Sequence, residues 1–152
     1  MTRLLGIDLG EKRIGLALGD TPDGAAIPHS TIARGASIEE DAAALRRLID
    51  RERVEEVILG LPLDFGGAEG PQAAVTRAWG VAIAAVLGLP VTMRDERLTS
   101  ELAAQRIGPM KRGRSGGPPT STQRRAYRAR LDREAAAIIL RDEIAARSGR
   151  QT

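Results

Sequence analysis

The sequence predicts a single α/β domain built on a mixed five-stranded sheet, and three observations support this prediction. A length of 152 residues, of which 42% are apolar, is enough for one domain with a real core but not for two. Two short apolar segments near the N-terminus are separated by only three residues, so they must pair as an antiparallel hairpin. Beyond them, strand-like and helix-like segments alternate, which is typical of βαβ units.

The N-terminal part of the chain is predicted to form three antiparallel strands. Residues 3–9 are apolar apart from one acid, and residues 13–19 alternate apolar side chains with small ones. A turn rich in Asp, Pro and Gly at residues 20–24 precedes a third strand over 27–33. These strands account for the antiparallel part of the sheet.

The rest of the chain is predicted to alternate helices with strands. Ser37 is suited to cap a helix whose apolar residues follow at helical spacing as far as Ile49. The remaining elements are a buried strand at 54–59, an Ala-rich helix at 71–87, a strand at 91–94, a short helix from Thr99 or Ser100 to Ile107, a mobile Gly/Pro-rich basic loop at about 108–122 and a last helix at about 122–146. The order β-β-β-α-β-α-β-α in a single domain of residues 1–152 already resembles the ribonuclease H arrangement, although fold alone does not determine function.

The composition excludes several classes of protein and site. There is no cysteine, which excludes disulfides and thiolate metal sites, and the single histidine, His29, cannot build a zinc site. No apolar segment approaches the roughly 18 residues of a membrane span. An acidic residue at position 8 comes too early for a signal peptide. We therefore expect a cytoplasmic protein without a membrane partner.

Charge is distributed unevenly along the chain. The formal net charge is +3, but residues 106–130 contain eight basic residues and no acid, whereas the remainder contains fifteen basic and twenty acidic residues. A strongly basic segment on an acidic body indicates a polyanionic partner such as nucleic acid, and the alternative is a solvated loop with incidental charge. With only three aromatic residues in the chain, we expect recognition of shape and backbone rather than base stacking.

Acidic residues on predicted strands are the first candidates for catalysis. Asp8 interrupts an apolar strand, where a carboxylate is costly unless it is hydrogen-bonded, paired or bound to a metal ion. Asp95 and Glu96 follow the strand at 91–94, and functional residues gather at the carboxyl ends of strands in open α/β sheets. Adjacent strand residues point to opposite faces, so only one of the two can share a site with Asp8. The spacing leaves open which one.

Asp132, on the last predicted helix, is the third candidate. Ala135 and Ala136 share its face and would let the helix approach the sheet closely. Each acid also has a structural interpretation, as a carboxylate satisfied by backbone amides, a helix cap or an ordinary helical acid. Phosphodiester hydrolysis would give these acids a common role as ligands of metal ions. Two divalent cations held by carboxylates can activate water and stabilise the leaving oxygen. Magnesium prefers oxygen ligands and requires neither histidine nor cysteine.

Four motifs, in order along almost the whole chain, resemble those of the YqgF/RuvX family. They are the segments Gly6–Ala17, Gly60–Leu63 with the Gly-rich turn that follows it, Asp95–Ser100 and Asp132–Leu140. The resemblance implies a ribonuclease-H-like fold and a nuclease that either resolves Holliday junctions or processes the 5′ end of pre-16S ribosomal RNA. Asp64 and Trp79 depart from the family pattern, which bears on substrate preference more than on catalysis.

The resemblance also implies roles for individual residues. Asp8, Glu96 and Asp132 would be the catalytic set that binds Mg²⁺, with Mn²⁺ as a substitute, and Glu96 is favoured over Asp95. Arg13 and Arg97 would lie near the substrate phosphates. Together with the basic segment, the residues expected to contact nucleic acid are Lys12, Arg13, Arg97, Lys111, Arg112, Arg114, Arg124 and Arg125.

Two other functions fit parts of the sequence. Kinases and chaperone-type ATPases of this fold also begin with Gly-x-Asp-x-Gly, but they need a second similar half, which 152 residues cannot supply. A non-catalytic nucleic-acid-binding module is the alternative, and the presence of all three carboxylates argues against it. Sequence leaves the oligomeric state open, because a junction resolvase should be a two-fold dimer whereas a monomer suits single-site RNA trimming.

Overall fold

The computed structural model describes residues 2–22, 24–64, 66–97, 99–113 and 116–150, which form one mixed sheet with helices on both faces. The elements are β1 (Thr2–Leu9), β2 (Arg13–Thr21), β3 (Ile27–Ala33), α1 (Ile38–Glu52), β4 (Glu56–Pro62), α2 (Pro71–Leu87), β5 (Val91–Glu96), α3 (Thr99–Ile107) and α4 (Ser121–Arg150). The strand order is β3-β2-β1-β4-β5, antiparallel from β3 to β1 and parallel from β1 to β5. The predicted mixed five-stranded α/β sheet is therefore confirmed.

Several element bounds differ from those predicted from the sequence. Strand β5 continues through Asp95 and Glu96, because β4 extends to Pro62 and supplies backbone partners for both residues. Both helices predicted after β5 are present, so the element order ends in two helices rather than one. Residues 108–113 and 116–120 form neither helix nor strand, as predicted for the basic loop. No helix in the described part of the chain is long and apolar enough to cross a membrane.

The two faces of the sheet bury different side chains. Leu5, Ile7 and Leu9 of β1 belong to a large cluster with the buried residues of α1 and α2. Leu4, which alternates with them, belongs to a second cluster with Ile58 and the apolar residues of α4. Asp8 therefore points toward the α4 side, as the alternation of the sequence predicts.

Helix α4 crosses the second face in unusually close contact with the strands. A Cβ atom on Gly6 would lie 2.8 Å from the carbonyl oxygen of Ala136, and a Cβ on Gly60 would overlap the side chain of Ile139. Ala136 is buried at this contact, as the small-residue pattern predicts, whereas Ala135 is buried in a separate cluster with Ala103 of α3. Because Gly6 and Gly60 carry no side chain, α4 can lie against the backbone of the sheet. This brings the acidic residues of α4 close to β1 and β5.

Candidate active site

A cleft of about 340 Å³ opens at the carboxyl ends of the three parallel strands β1, β4 and β5. It is lined by Asp8, Gly60, Pro62, Leu63, Asp64, Glu96, Arg97, Thr99, Ser100, Glu101 and Ile139. Two of the three acids predicted from the sequence, Asp8 and Glu96, therefore share one cleft although they lie on strands separated by β4.

The strand register determines which acid of the Asp95–Glu96 pair faces Asp8. Ile58 of β4 lies beside Gly6 on one side and Thr92 on the other, and in-register neighbours share a face of the sheet. Asp8 is two residues beyond Gly6 and Glu96 is four beyond Thr92, so both point to the α4 face. Asp95 points to the opposite face and is exposed.

The environment of the Asp8 carboxyl disfavours its ionised form. Burial of the side chain is the main cause that raises its pKa to about 7, and the negative charge of Asp132 acts in the same direction. A nearby cation would reverse the effect, because it favours the ionised carboxylate. A cation bound beside Asp8 would therefore lower this pKa and favour the ionised carboxylate at neutral pH.

Glu96 has a similar environment with different neighbours. Only 10% of its side chain is exposed, and this burial raises its pKa to about 7, with a further contribution from Asp142 on α4. Arg94 acts in the opposite direction, and its Nε donates to Glu96 Oε1 at 3.0 Å. Thr99 Oγ1 donates to Glu96 Oε2 at 3.2 Å. These contacts fix the orientation of the carboxylate in the cleft.

Asp132 lies next to Asp8 but is paired with a cation. Arg13 Nε donates to Asp132 Oδ2 at 2.5 Å, and Asp132 is not among the residues that line the cleft. Its charge nevertheless raises the pKa of Asp8. Within the described residues no three His, Cys, Asp or Glu side chains are arranged to hold a metal ion. The structure therefore brings together Asp8 and Glu96, and keeps Asp132 alongside in an ion pair.

The sequence reasoning missed two acidic residues of the cleft, Asp64 and Glu101, and two charged neighbours of Glu96, Arg94 and Asp142. Asp64 follows β4, and the rule that drew attention to Asp95 and Glu96 at a strand end would also have found it. Glu101 lies in the first turn of α3, where an acid is expected for helix stability alone. Arg94 could have been found from its spacing, because a residue two positions before Glu96 on a strand shares its face. Asp142 carries no signal beyond being a helical acid.

The predicted nucleic-acid-binding residues separate into groups. Arg97 lies at the cleft, where its guanidinium packs against Gly67 in the loop after β4. Three others, Lys12, Arg13 and Arg125, line a second groove of about 440 Å³ between β2, β3 and α4.

Of the remaining predicted contacts that the structure describes, two lie on the loop after α3 and one lies on the first turn of α4. Lys111 and Arg112 are exposed, and Arg112 donates to the Gly116 carbonyl. Arg124 is held locally by hydrogen bonds to the Pro119 carbonyl and to Ser121. Arg114 lies outside the described residues.

Comparisons with known proteins show the family to which the chain belongs. A family model described as "RuvX: Holliday junction resolvase" matches residues 2–146, which confirms the resemblance noted in the motifs. A relative from Chloroflexus aggregans, named "Putative pre-16S rRNA nuclease", is 40% identical over 144 residues, which are 95% of this chain and 94% of the relative. A relative of the same name from Anaeromyxobacter dehalogenans is 39% identical over 138 residues, which are 91% and 93% of the two chains.

Solved structures show the same fold at low sequence identity. RuvC from T. thermophilus, in complex with a Holliday junction substrate, superimposes with a TM-score of 0.53 at 17% identity, over 98% of this chain and 97% of RuvC. A second Thermus thermophilus RuvC structure gives 0.52 at 16% identity, over 97% of each chain. The ribonuclease-H-like fold expected from the sequence is therefore confirmed.

Proposed function

Because the chain belongs to the RuvX family, we propose that it is a metal-dependent nuclease that hydrolyses phosphodiester bonds in structured nucleic acid. One observation carries this proposal: Asp8 and Glu96 lie in one cleft at the strand ends, and both have pKa values raised to about 7. Raised pKa values on two carboxyls of one cleft are typical of sites built for catalysis or cation binding.

The donor set of the cleft fits a hard divalent cation. Magnesium uses one or two carboxylates and completes its coordination with water and substrate phosphate, which matches a cleft that offers Asp8 and Glu96. We propose Mg²⁺, with Mn²⁺ as a substitute, held by these two residues and by Asp132 once Arg13 no longer pairs with it. When bound as a pair, such ions supply a nucleophilic water at neutral pH and stabilisation of the leaving oxygen.

Each side chain around the cleft then has a defined task. Asp8 and Glu96 would bind the metal cation. The hydrogen bonds from Arg94 and Thr99 keep the Glu96 carboxylate oriented toward it. Arg97 lies at the cleft as an exposed guanidinium and would orient the phosphate to be cleaved. The other predicted basic contacts would bind the nucleic-acid backbone, namely Lys12, Arg13, Lys111, Arg112, Arg114, Arg124 and Arg125.

Two physiological substrates follow from the family and from the names of the relatives, namely a four-way DNA junction and the 5′ leader of pre-16S rRNA. We expect the enzyme to act in the cytoplasm on one of them as an endonuclease. Both should be offered side by side with Mg²⁺ or Mn²⁺, while the oligomeric state is measured in the same buffer. Paired symmetric cuts by a dimer would identify a junction resolvase, and a single cut by a monomer would identify RNA trimming.

Matched variants separate a nuclease from a binding module. Asp8→Asn should abolish cleavage and leave nucleic-acid binding intact, because the change removes a charge and keeps the shape. Asp95→Asn is the control, since Asp95 is exposed on the opposite face of the sheet, and it should cleave normally. If the wild-type protein cleaves neither substrate in Mn²⁺, the proposal gives way to a non-catalytic nucleic-acid-binding module.

A further inference from the structure

A groove distinct from the cleft is lined by cationic side chains. It lies between the β2–β3 hairpin and the N-terminal half of α4, and Lys12, Arg13, Arg125 and Arg128 line it without any acidic residue. In the described part of the chain, no carboxylate pairs with Lys12, Arg125 or Arg128. Their charges are therefore available to an external anion. Arg128 was not among the residues predicted from the sequence to bind nucleic acid.

The groove is connected to the candidate active site by one face of α4. Arg125 and Arg128 precede Asp132 by seven and four residues, spacings that place all three on the same side of a helix. Arg13 joins the two regions directly, because it lines the groove and its Nε contacts Asp132 Oδ2. The wall of the groove is fixed by Thr31 of β3, whose Oγ1 donates to the Ala129 carbonyl at 2.5 Å.

The helical rise converts these positions into distances. At about 1.5 Å per residue, Arg128 lies roughly 6 Å and Arg125 roughly 10 Å along the α4 axis from Asp132. One strand of a B-form duplex advances about 3.4 Å per nucleotide. For a duplex whose axis runs parallel to α4, the two arginines are thus spaced to meet phosphates about two and three nucleotides from one that lies beside Asp132.

We propose that this groove binds the sugar–phosphate backbone of the substrate strand with the duplex axis along α4, two to three nucleotides to one side of the phosphate that lies beside Asp132. The inference rests on the proposed function only for which phosphate lies beside Asp132, because backbone binding in the groove requires no cleavage. A nucleic-acid strand is favoured over an acidic protein segment, because cations at a regular helical spacing match regularly spaced phosphates and the groove leads directly to Asp132.

Salt dependence of binding tests the groove without any cleavage. We would measure the affinity of the full chain for a duplex oligonucleotide in EDTA at several salt concentrations. Arg125→Ala/Arg128→Ala should reduce the magnitude of the slope of log K against log salt by about two, since each lost phosphate contact releases about one fewer counterion. The matched control is Arg47→Ala/Arg51→Ala, on the exposed side of α1 across the sheet, which should keep the wild-type slope.

Single neutral methylphosphonate linkages then locate the contact. Linkages two and three nucleotides from the cut, on one side only, should weaken wild-type binding severalfold and have no further effect on the double variant. An unchanged salt slope in the double variant overturns the proposal, as does equally tight competition by polyglutamate. If no substrate is cleaved at all, the proposed function fails, but the salt slopes still decide whether the groove binds the backbone.

Discussion

The carbonyl oxygen of Asp132 lies directly over Gly15, so closely that a Cβ atom at position 15 would overlap it. Gly15 is the cross-strand partner of Asp8 in the antiparallel β1–β2 pair. Because Gly15 has no side chain, α4 can bring Asp132 close to Asp8. The charge of Asp132 then raises the pKa of Asp8.

Gly15→Ala should consequently displace α4. The added methyl group meets backbone atoms of Asp132 and Arg133, which no side-chain rotation can move. Forcing extra volume into such a contact costs about 1–3 kcal/mol. We expect a lower urea midpoint and a loss of Mg²⁺-dependent cleavage greater than the loss of folded protein, both measured on the purified variant.

The control for this variant is Gly149→Ala on the same helix. Within the described residues, no atom other than the neighbouring backbone of the helix lies within 4 Å of a Cβ at position 149, so the change adds mainly the helix preference of alanine over glycine, up to about 1 kcal/mol. Its urea midpoint should equal or exceed that of the wild type. A Gly15→Ala protein with unchanged midpoint and activity would show that α4 can shift without consequence.

Proline and glycine at the ends of an element allowed its observed bounds to be predicted from the sequence. Helix α2 begins at Pro71 and ends before Gly88, which has a positive φ of 69°. Proline suits the first helical turn and glycine suits a left-handed C-cap, so both ends carry local signals. The alternation in β1 likewise predicted that Asp8 points away from the Leu5–Ile7 face.

Features of the site that depend on distant partners could not be predicted in this way. The choice of Glu96 over Asp95 depends on how far β5 extends, and that is determined by its pairing with Leu61 and Pro62 of β4. The Arg13–Asp132 ion pair joins residues 119 positions apart, with no local pattern in either segment. Only the assembled sheet with α4 against it defines these contacts.

The raised pKa of Asp8 predicts that the folded protein becomes less stable as the pH rises. Its carboxyl titrates at about 7 when folded against a model value of 3.8, so the folded state holds the proton more tightly. Stability is then lost as the pH rises from about 4 to 7, and the cost of a buried charge remains above pH 7. Without metal, Asp8→Asn should be more stable than the wild type at pH 8, on the order of a few kcal/mol at most, by thermal unfolding.

Two comparisons check the origin of that effect. Near pH 4 the difference between Asp8→Asn and the wild type should vanish, because the wild-type carboxyl is protonated in the folded state. Excess Mg²⁺ should stabilise the wild type by preferential binding to the folded protein and leave the variant unchanged. An Asn variant that is less stable at pH 8 in EDTA would indicate that Asp8 makes favourable ionic contacts instead.

The position of Arg97 should depend on the absence of a side chain at Gly67. Gly67 has a φ of 84°, and a Cβ there would overlap the Arg97 guanidinium. Gly67→Ala should therefore move Arg97 and weaken substrate binding severalfold, in addition to a backbone cost of about 1–2 kcal/mol for the left-handed conformation. The readout is KM for the cleaved substrate, compared with that of Arg97→Ala.

Gly88→Ala provides the matched control for the backbone cost alone. Gly88 also has a positive φ, of 69°, but no atom of another described residue, apart from its chain neighbours, lies within 4 Å of a Cβ at that position. Its stability loss should be comparable to that of Gly67→Ala, with an unchanged KM. In the double variant Gly67→Ala/Arg97→Ala the two KM effects should not add, because both act through the same guanidinium.

Arg94 should set the pH at which Glu96 becomes ionised. Its Nε donates to Glu96 Oε1, and its Nη1 lies 3.3 Å from Oε1 of the buried Glu143. Because Arg94 lowers the pKa of Glu96 from an even higher value, Arg94→Met should raise that pKa above about 7. The acid limb of the pH–rate profile for Mg²⁺-dependent cleavage should then move to higher pH.

Charge-preserving and distant substitutions distinguish this role from general destabilisation. Arg94→Lys keeps a cation near Glu96 and should return the acid limb most of the way toward the wild-type position. Arg77→Met removes an arginine that pairs with Glu69 on the exposed surface, where such ion pairs contribute about 1 kcal/mol or less, and should leave the profile unshifted. An acid limb that stays in place in Arg94→Met would mean that burial, Asp142 and the Thr99 hydrogen bond determine the ionisation of Glu96 without Arg94.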